Sequence, residues 1–238
     1  MTTGLAERDR HAAELMDDPA CDRERLERTY ELFPLVNAAI GGWGGVYRRE
    51  IRPRARRGRV RILDVGCGGA DVARALLRRA RRDRLPVEIV AIDPDRRAID
   101  WAARQPTVAG LGLHPVDTGA LVAAGERFDL VLSNHVLHHL ERDALDALLR
   151  DSARLLRRGG AALHRDIARG RLAYAGFATA TALVPATHLR RSFIRADGLA
   201  SIRRSYTRDE LAAIAPPPWH VRVGFPARLE LRLERDGR

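Results

Sequence analysis

The sequence predicts an α/β protein with a doubly wound sheet, and three stretches carry that prediction. Ile62-Leu63-Asp64-Val65-Gly66-Cys67-Gly68-Gly69-Ala70-Asp71 is an apolar, β-branched run that passes into a glycine-rich turn. Val72, Leu76, Leu77 and Ala80 follow it at helical spacing, which makes an opening βα unit. Val87 to Ile92 is a second such run, ending in Asp93 and followed by Ala98, Ile99 and Ala102 on one helical face. Near the C-terminus Val221, Val223 and Phe225, and then Leu229, Leu231 and Leu233, alternate with other residues on either side of Pro226. Two period-two strands joined there form a hairpin, which adds an antiparallel strand to the end of the sheet.

At 238 residues, 45% hydrophobic and 31% charged, the chain is long enough for one sizeable core with additions. Two cysteines, Cys21 and Cys67, make no disulfide framework, which fits a reducing cytoplasm. Met1 to Met16 carries charges throughout and holds no apolar stretch of the kind a secretory leader needs. The net charge of +11 comes from arginine alone, since the chain has no lysine. The clusters Arg54, Arg56, Arg57, Arg59 and Arg61, and Arg78, Arg79, Arg81 and Arg82, have no interleaved aromatics. They read as a basic linker and a solvated helix face, with a nucleic acid or an anionic membrane surface as the alternative.

From Leu5 to Ile40 the pattern is helical with breaks at Pro19 and Pro34, and Leu26, Tyr30, Phe33, Asn37 and Ile40 share a face. Asn37 either caps the turn after Pro34 or points at a ligand. Gly41-Gly42-Trp43-Gly44-Gly45 ends this segment and bends the chain around one aromatic ring. Residues 1–58 are expected to form a helical cap over the mouth of the sheet.

Glycines are needed in the 66–69 turn where a ligand comes too close to the backbone for a Cβ, and the following helix offers free N–H groups. A dinucleotide fingerprint would place a third glycine where Asp71 stands, and a carboxylate beside a pyrophosphate argues against NAD. Asp93, ending the second strand, can accept both ribose hydroxyls of a nucleoside, while Asp95 suits the N-cap of the next helix. A short strand over Leu111–His114 leads to Asp117. Phe128 to Leu140 then contains a strand and ends in His135, His138 and His139, at i, i+3 and i+4. Those histidines could pack, hold a base or substrate contact, or bind zinc; no cysteine lies nearby, and no metal is expected.

Glu141 to Leu156 is an amphipathic helix, Arg157–Gly160 a turn and Ala161–His164 a strand followed by Asp166. A long insertion then runs from about 168 to 206. Within it Leu172 to Leu189 is an uncharged run of 18 residues between Arg169 and Arg171 on one side and Arg190 and Arg191 on the other. Its Ala, Thr, Pro185 and His188 favour a lid over the site, with membrane-surface contact and a true span as alternatives. Thr207 to Glu210 has the form of a capping box.

Taken together these stretches resemble a known family. Asp64-x-Gly66-x-Gly68, with Ala70 for the third glycine, resembles motif I of class I S-adenosylmethionine (SAM) methyltransferases. Phe128-Asp129-Leu130-Val131-Leu132-Ser133-Asn134-His135-Val136-Leu137-His138-His139-Leu140 resembles the fourth motif. The resemblance covers roughly 60–235 and implies a Rossmann-like, doubly wound, seven-stranded sheet with a C-terminal antiparallel hairpin. It divides the chain into an N-terminal cap, 1–58, and a SAM-binding domain, 59–238, with a helical lid insertion at about 168–206. It implies SAM as cofactor and S-adenosylhomocysteine (SAH) as product. The residues it assigns to the cofactor are Asp64, Gly66, Cys67, Gly68, Asp71, Asp93, Pro94, Asp117, Ser133 and Asn134, with Asp93 on the ribose and Asp117 beside the adenine amino group.

Base-methylating members carry Asn-Pro-Pro-aromatic after the fourth strand, where this chain has Ser133-Asn134-His135-Val136, so DNA is not an expected partner. Glu14 to Pro19, Leu35 to Asn37 and Asp197 to Tyr206 resemble methyltransferases associated with type III polyketide synthases and with quinone or phenolic-lipid pathways. That points to a phenolic hydroxyl on a small amphipathic acceptor. A histidine, with an ordinary pKa of about 6.5, could take the phenol proton near neutral pH. His139 is the first choice for this base and His135 the second, with Tyr30, Asn37 and His138 as substrate contacts. A cytoplasmic enzyme with possible peripheral membrane contact follows; an RNA-modifying or nucleic-acid-binding methyltransferase and a catalytically silent partner protein are the rivals.

Overall fold

Seven strands form one sheet in the order β3-β2-β1-β4-β5-β7-β6. They are β1 Val60–Val65, β2 Val87–Ile92, β3 Leu111–His114, β4 Phe128–Asn134, β5 Leu156–Ile167, β6 His220–Gly224 and β7 Arg228–Glu234. The structure is a computed structural model and describes residues 5–184, 189 and 191–237. Strands β1 to β5 are parallel, β7 runs antiparallel to β5, and β6 pairs with β7, as the hairpin around Pro226 predicts. The strand order reverses between β1 and β4, whose ends align Val65 with Ser133. A crevice opens at such a switch point, beyond the carboxyl ends of the strands.

Both faces of the sheet are covered, so β1 is apolar on both sides. Ile62 joins one core with Leu76, Leu77, Ala98 and Trp101, while Leu63 and Val65 join the other with Leu145, Leu149, Leu155 and Trp219. The helix Asp71–Arg82 buries Val72, Leu76, Leu77 and Ala80 and turns Arg78, Arg81 and Arg82 to solvent. Further helices span Arg96–Ala103, Thr118–Ala123, Arg142–Leu155 and Arg208–Ile214, the last opened by the capping box of Thr207 and Glu210.

The N-terminal segment departs from the pattern. Residues 5–22 form an irregular strap with one 3-10 turn, Leu15–Asp17, instead of a helix. The helix Arg23–Ile40 then runs straight through Pro34. Proline costs one ladder bond there, but Leu26, Thr29 and Tyr30 are buried against the body and override it. Gly41 and Gly42 break the chain, and a second helix follows over 43–55, with a π-helical stretch at Tyr47–Ile51. Glycines and arginines hide its apolar face in the sequence, yet Val46, Tyr47, Ile51 and Ala55 are all buried. The strand expected over Ala161–His164 also begins earlier, at Leu156, so Arg157–Gly160 belongs to β5 and not to a separate turn.

The insertion contributes the helices Arg171–Leu183 and Ile194–Arg204. They pack closely, since a Cβ on Gly198 would run into the Phe177 ring. Pro185, His188 and Arg190 lie outside the described residues. Among those described, no helix is long and apolar enough to cross a membrane. Arg169, expected beside the lid, is instead buried and paired with Glu210.

Candidate active site

A cavity of about 530 Å³ fills the crevice at the switch point, within the size range of small-molecule sites. One end of it is the glycine turn. Gly66, Gly68 and Ala70 all take left-handed backbone, at φ 65°, 50° and 57°. A Cβ on Gly66 would lie 2.5 Å from Val136, whereas one on Gly68 would meet only Tyr30, at 3.9 Å. The backbone at Gly68 is therefore open to a ligand.

Three carboxylates surround this turn. Asp93 accepts the Gly68 N–H at 2.8 Å through one oxygen and the Asp95 N–H at 2.9 Å through the other, which fixes the turn against the end of β2. Burial, with Asp95 beside it, raises its pKa. Asp71 accepts from Asn37 Nδ2 at 3.0 Å, and Asn37 Oδ1 accepts from Asn134 Nδ2 at 3.0 Å. Asp64 is buried and has one oxygen with no hydrogen-bond partner. Burial, then Asp71 and Asp93, push its pKa up to about 8. Carboxylates crowded in this way disfavour a pyrophosphate, and a cationic ligand would draw them into their charged form.

The other end is a histidine and carboxylate cluster. β4 stops at Asn134 and the chain turns through His135, at φ 57°, whose N–H is held by the Arg165 carbonyl at 2.8 Å. His135 Nδ1 lies 3.5 Å from Asp166 Oδ1. The next turn, Leu137–His139, buries His138 with Nδ1 at 2.8 Å from Asp166 and Nε2 at 3.1 Å from Glu14. Burial alone would lower the His138 pKa, but Asp166 and Glu14 outweigh it and hold it at about 10. In return, against its own burial, Asp166 is held well below the usual carboxylate range by His138 and His135. His138 is thus a fixed cation at neutral pH and cannot accept a proton.

His139 has Nδ1 at 3.1 Å from Asp17 and Nε2 at 3.8 Å from Glu14. Two groups of ligating atoms are compact enough for an ion, Glu14–His138–His139 and His135–His138–Asp166. Both share His138, which Asp166 and Glu14 hold as a cation in the protein alone.

Glu14 arrives on the N-terminal strap. Arg8 clamps that strap by donating to the carbonyls of His138, Leu140 and Arg204, with its guanidinium 4.1 Å over the Tyr206 ring. Asp197, from the insertion, accepts the N–H groups of Leu15 and Met16 at 2.8 and 3.1 Å. Burial, with Glu14 and Asp17 nearby, pushes it up to about 6. Ser201 donates to Glu14 at 2.8 Å, so insertion and strap interlock above the histidines.

Most of the residues expected at the site meet in this one cavity. Asp64, Gly66, Cys67 and Gly68 line it from the turn, Asp71, Asp93 and Pro94 from beside it, and Asn134, His135, His138 and His139 from the end of β4. Tyr30 and Asn37 reach it from the first helix, so Asn37 faces the cavity and does not cap a turn. Asp117 and Ser133 do not line it. Asp117 is exposed and caps the helix Thr118–Ala123 by accepting the Ala120 N–H at 2.9 Å. Ser133 faces the opposite side of β4 from Asn134 and sits 2.8 Å from His164, which burial lowers to about 3. Spacing alone did not assign roles to Glu14, Asp17, Asp166 or Asp197, although each lies in or beside a stretch singled out above.

The sheet order, with its antiparallel C-terminal hairpin and a crevice at the switch point, is a Rossmann-like fold of the kind class I methyltransferases share. Residues 62–160 match the family model described as a methyltransferase domain. A ubiquinone biosynthesis O-methyltransferase of Parvibaculum lavamentivorans is 32% identical over 157 residues, covering 63% of this chain and 58% of that protein. One of Cereibacter sphaeroides is 37% identical over 103 residues, covering 42% and 38%. The chain thus spans less than two thirds of the length of these relatives. Among solved structures, the plantazolicin methyltransferase BpumL, in complex with a triazolic desmethylPZN analog and SAH, superposes with a TM-score of 0.62 at 12% identity, over 94% of each chain. An O-methyltransferase family protein from Burkholderia thailandensis gives 0.60 at 14%, over 87% of this chain and 58% of that one. At those identities the likeness is one of fold.

Proposed function

We propose that this chain is a SAM-dependent O-methyltransferase acting on a phenolic or quinone-type small molecule, with His135 as general base. The observation that carries the reading is the two-ended cavity: a carboxylate-ringed glycine turn at one end and a histidine beside a buried aspartate at the other. The cofactor fits the first end. The unpartnered oxygen of Asp64 and the charge of Asp71 suit its ammonium and sulfonium groups, and the Asp93 oxygens keep lone pairs for ribose hydroxyls. Bound there, SAM supplies a methyl group already activated on sulfur.

The chain's own work is then positioning and proton removal. His135 lines the cavity with Nδ1 towards Asp166, which leaves its other ring nitrogen to take the hydroxyl proton as the oxygen attacks. Asp166 orients the ring, and the fixed cation of His138 holds Asp166 ionised. His135 is preferred to His139 as the base because both ring nitrogens of His139 lie towards carboxylates. His138 becomes a positioning residue and not a substrate contact.

Phe33, Val36, Ile40, Leu140, Phe177 and Ile194 give the rest of the cavity an apolar wall suited to an aromatic acceptor with a hydrophobic tail. Most of that wall comes from the cap, 1–58, and the lid, about 168–206. The curated relatives' place in ubiquinone biosynthesis supports the same acceptor class. Leu172, 91% exposed beside Arg171, fits peripheral contact with a membrane that holds such compounds. The test is calorimetric titration with SAH followed by turnover of long-chain hydroquinones and resorcinols against primary amines. No SAH binding would remove the cofactor, and methylation of amines alone would remove the phenol.

A further inference from the structure

A second cavity, of about 520 Å³, lies between the start of the 43–55 helix, β5 and the β6–β7 hairpin, and shares no lining residue with the first. Its wall carries Arg48, Arg49, Arg165, Arg222 and Arg228 against a single carboxylate, Glu230. That carboxylate is already engaged, by Arg165 at 3.4 Å and Arg232 at 3.9 Å. Among the described residues, the other four arginines of the wall make no ion pair within 4 Å. Arg165 is buried over the Trp43 ring, 5.1 Å from its centre, and donates to the Gly41 carbonyl at 2.6 Å. The Arg165 Nε is the atom that faces Glu230, whereas the buried Nε of Arg228 lacks a hydrogen-bond acceptor while its Nη1 donates to the Ile40 carbonyl at 2.9 Å.

The Gly-Gly-Trp-Gly-Gly segment makes room for this cluster. A Cβ on Gly42, at φ 62°, would run into the Arg228 guanidinium, and one on Gly45 would lie 3.0 Å from Arg49. Like charges crowded at low dielectric repel one another, and burial lowers the Arg165 pKa to about 10 against the opposing pull of Glu230, with Arg228 and Arg49 adding to the fall. One carboxylate, Glu230, thus stands against five guanidinium groups.

We infer that this cavity binds a phosphate-class oxyanion, held by the guanidinium forks of Arg49, Arg165, Arg222 and Arg228. Guanidinium pairs match phosphate oxygens two at a time, which lysine-type charges do not. Val223, 59% exposed in the cavity wall, and Phe225, 87% exposed on the adjoining turn, stand at the rim. The phosphate can therefore belong to a soluble ligand or to an anionic lipid headgroup whose acyl layer takes these two side chains.

The experiment uses the full chain with pyrophosphate, and with phosphatidylglycerol-containing against pure phosphatidylcholine vesicles. Three proteins are compared: wild type, Arg49→Ala/Arg222→Ala, and Arg56→Ala/Arg57→Ala as a control of equal charge loss on exposed residues elsewhere. Wild type and control should bind at least one probe, the cavity variant should bind it at least about tenfold more weakly, and all three should bind SAH equally. Vesicle binding that is also lost in Val223→Ser/Phe225→Ser assigns the phosphate to a lipid. Pyrophosphate binding without vesicle binding assigns it to a soluble ligand. Failure of wild type to bind either probe, or equal weakening in the control, overturns the site and leaves only the attraction of a chain of net charge +11.

Discussion

Replacing His138 by asparagine removes the buried cation that joins Glu14 to Asp166 while keeping a side-chain donor near Asp166. A folded-state pKa of about 10 against about 6.5 in the unfolded chain corresponds, at 1.36 kcal/mol per pH unit, to a ceiling of ~5 kcal/mol. Breaking one partner of a buried ion pair costs about 3–5 kcal/mol in general, so the two routes agree. For a chain of this size that is a fall in Tm of roughly 6–20 °C. The sign with pH is fixed as well. A raised histidine value means that the stabilisation is fully present below about pH 6.5 and is lost as the pH climbs to about 10.

Asp64 and Asp197, raised to about 8 and about 6, also make wild-type stability fall with rising pH, in lower windows. The difference between wild type and variant isolates His138. Denaturant unfolding of both proteins across that range measures it. A His138→Asn protein within about 1 kcal/mol of wild type at neutral pH, or a difference that stays constant from about pH 7 to 10, would refute the ion-paired cluster.

Asp93→Ala should weaken SAH binding by about 2–4 kcal/mol, since the carboxylate both accepts ribose hydroxyls and holds Gly68; an unchanged calorimetric Kd removes the assignment. Asp64→Asn should raise Tm while lowering SAH affinity. Its raised carboxyl makes wild-type stability fall between about pH 4 and 8, and a variant that keeps that slope would contradict the argument. His135→Asn should cut kcat by about 10²–10⁴ with SAH binding intact and His139→Asn by less than about tenfold, and the opposite ranking would return the base to His139. Amides of 172–183 and 194–204 should exchange slowly only with cofactor and acceptor both bound; equal protection in the free protein would mark a static roof.

The cofactor half was legible because it is local. Asp64, Gly66, Gly68 and Asp71 lie within eight residues, and their spacing states both the close approach and the charge. The sheet was legible for the same reason, through runs of period two and continuous apolar strands. Where reading failed, a nonlocal term decided. Pro34 stays helical because Tyr30 packs below it, and the 43–55 helix forms because Val46, Tyr47 and Ile51 are buried despite flanking glycines and arginines. Ser133 and Asp117 carry the right chemistry at motif positions, but the β4 pleat turns one to His164 and helix capping takes the other.

At the other end of the cavity spacing showed the histidines and the Tyr30–Asn37 face but not the acids that meet them. Glu14 reaches His138 from far along the chain and is itself held by Ser201, while Asp197 meets Leu15 and Met16 across 182 and 181 residues. No periodicity reports such a contact. The consequence is a division of labour along the sequence. On the proposed reading the cofactor is served mainly by one short turn and by Asp93 beside it, whereas the acceptor is faced mainly by the strap, the first helix and the insertion. These segments meet through a few buried hydrogen bonds around Glu14 and Asp197, and substitutions there can reshape the acceptor wall without moving the turn.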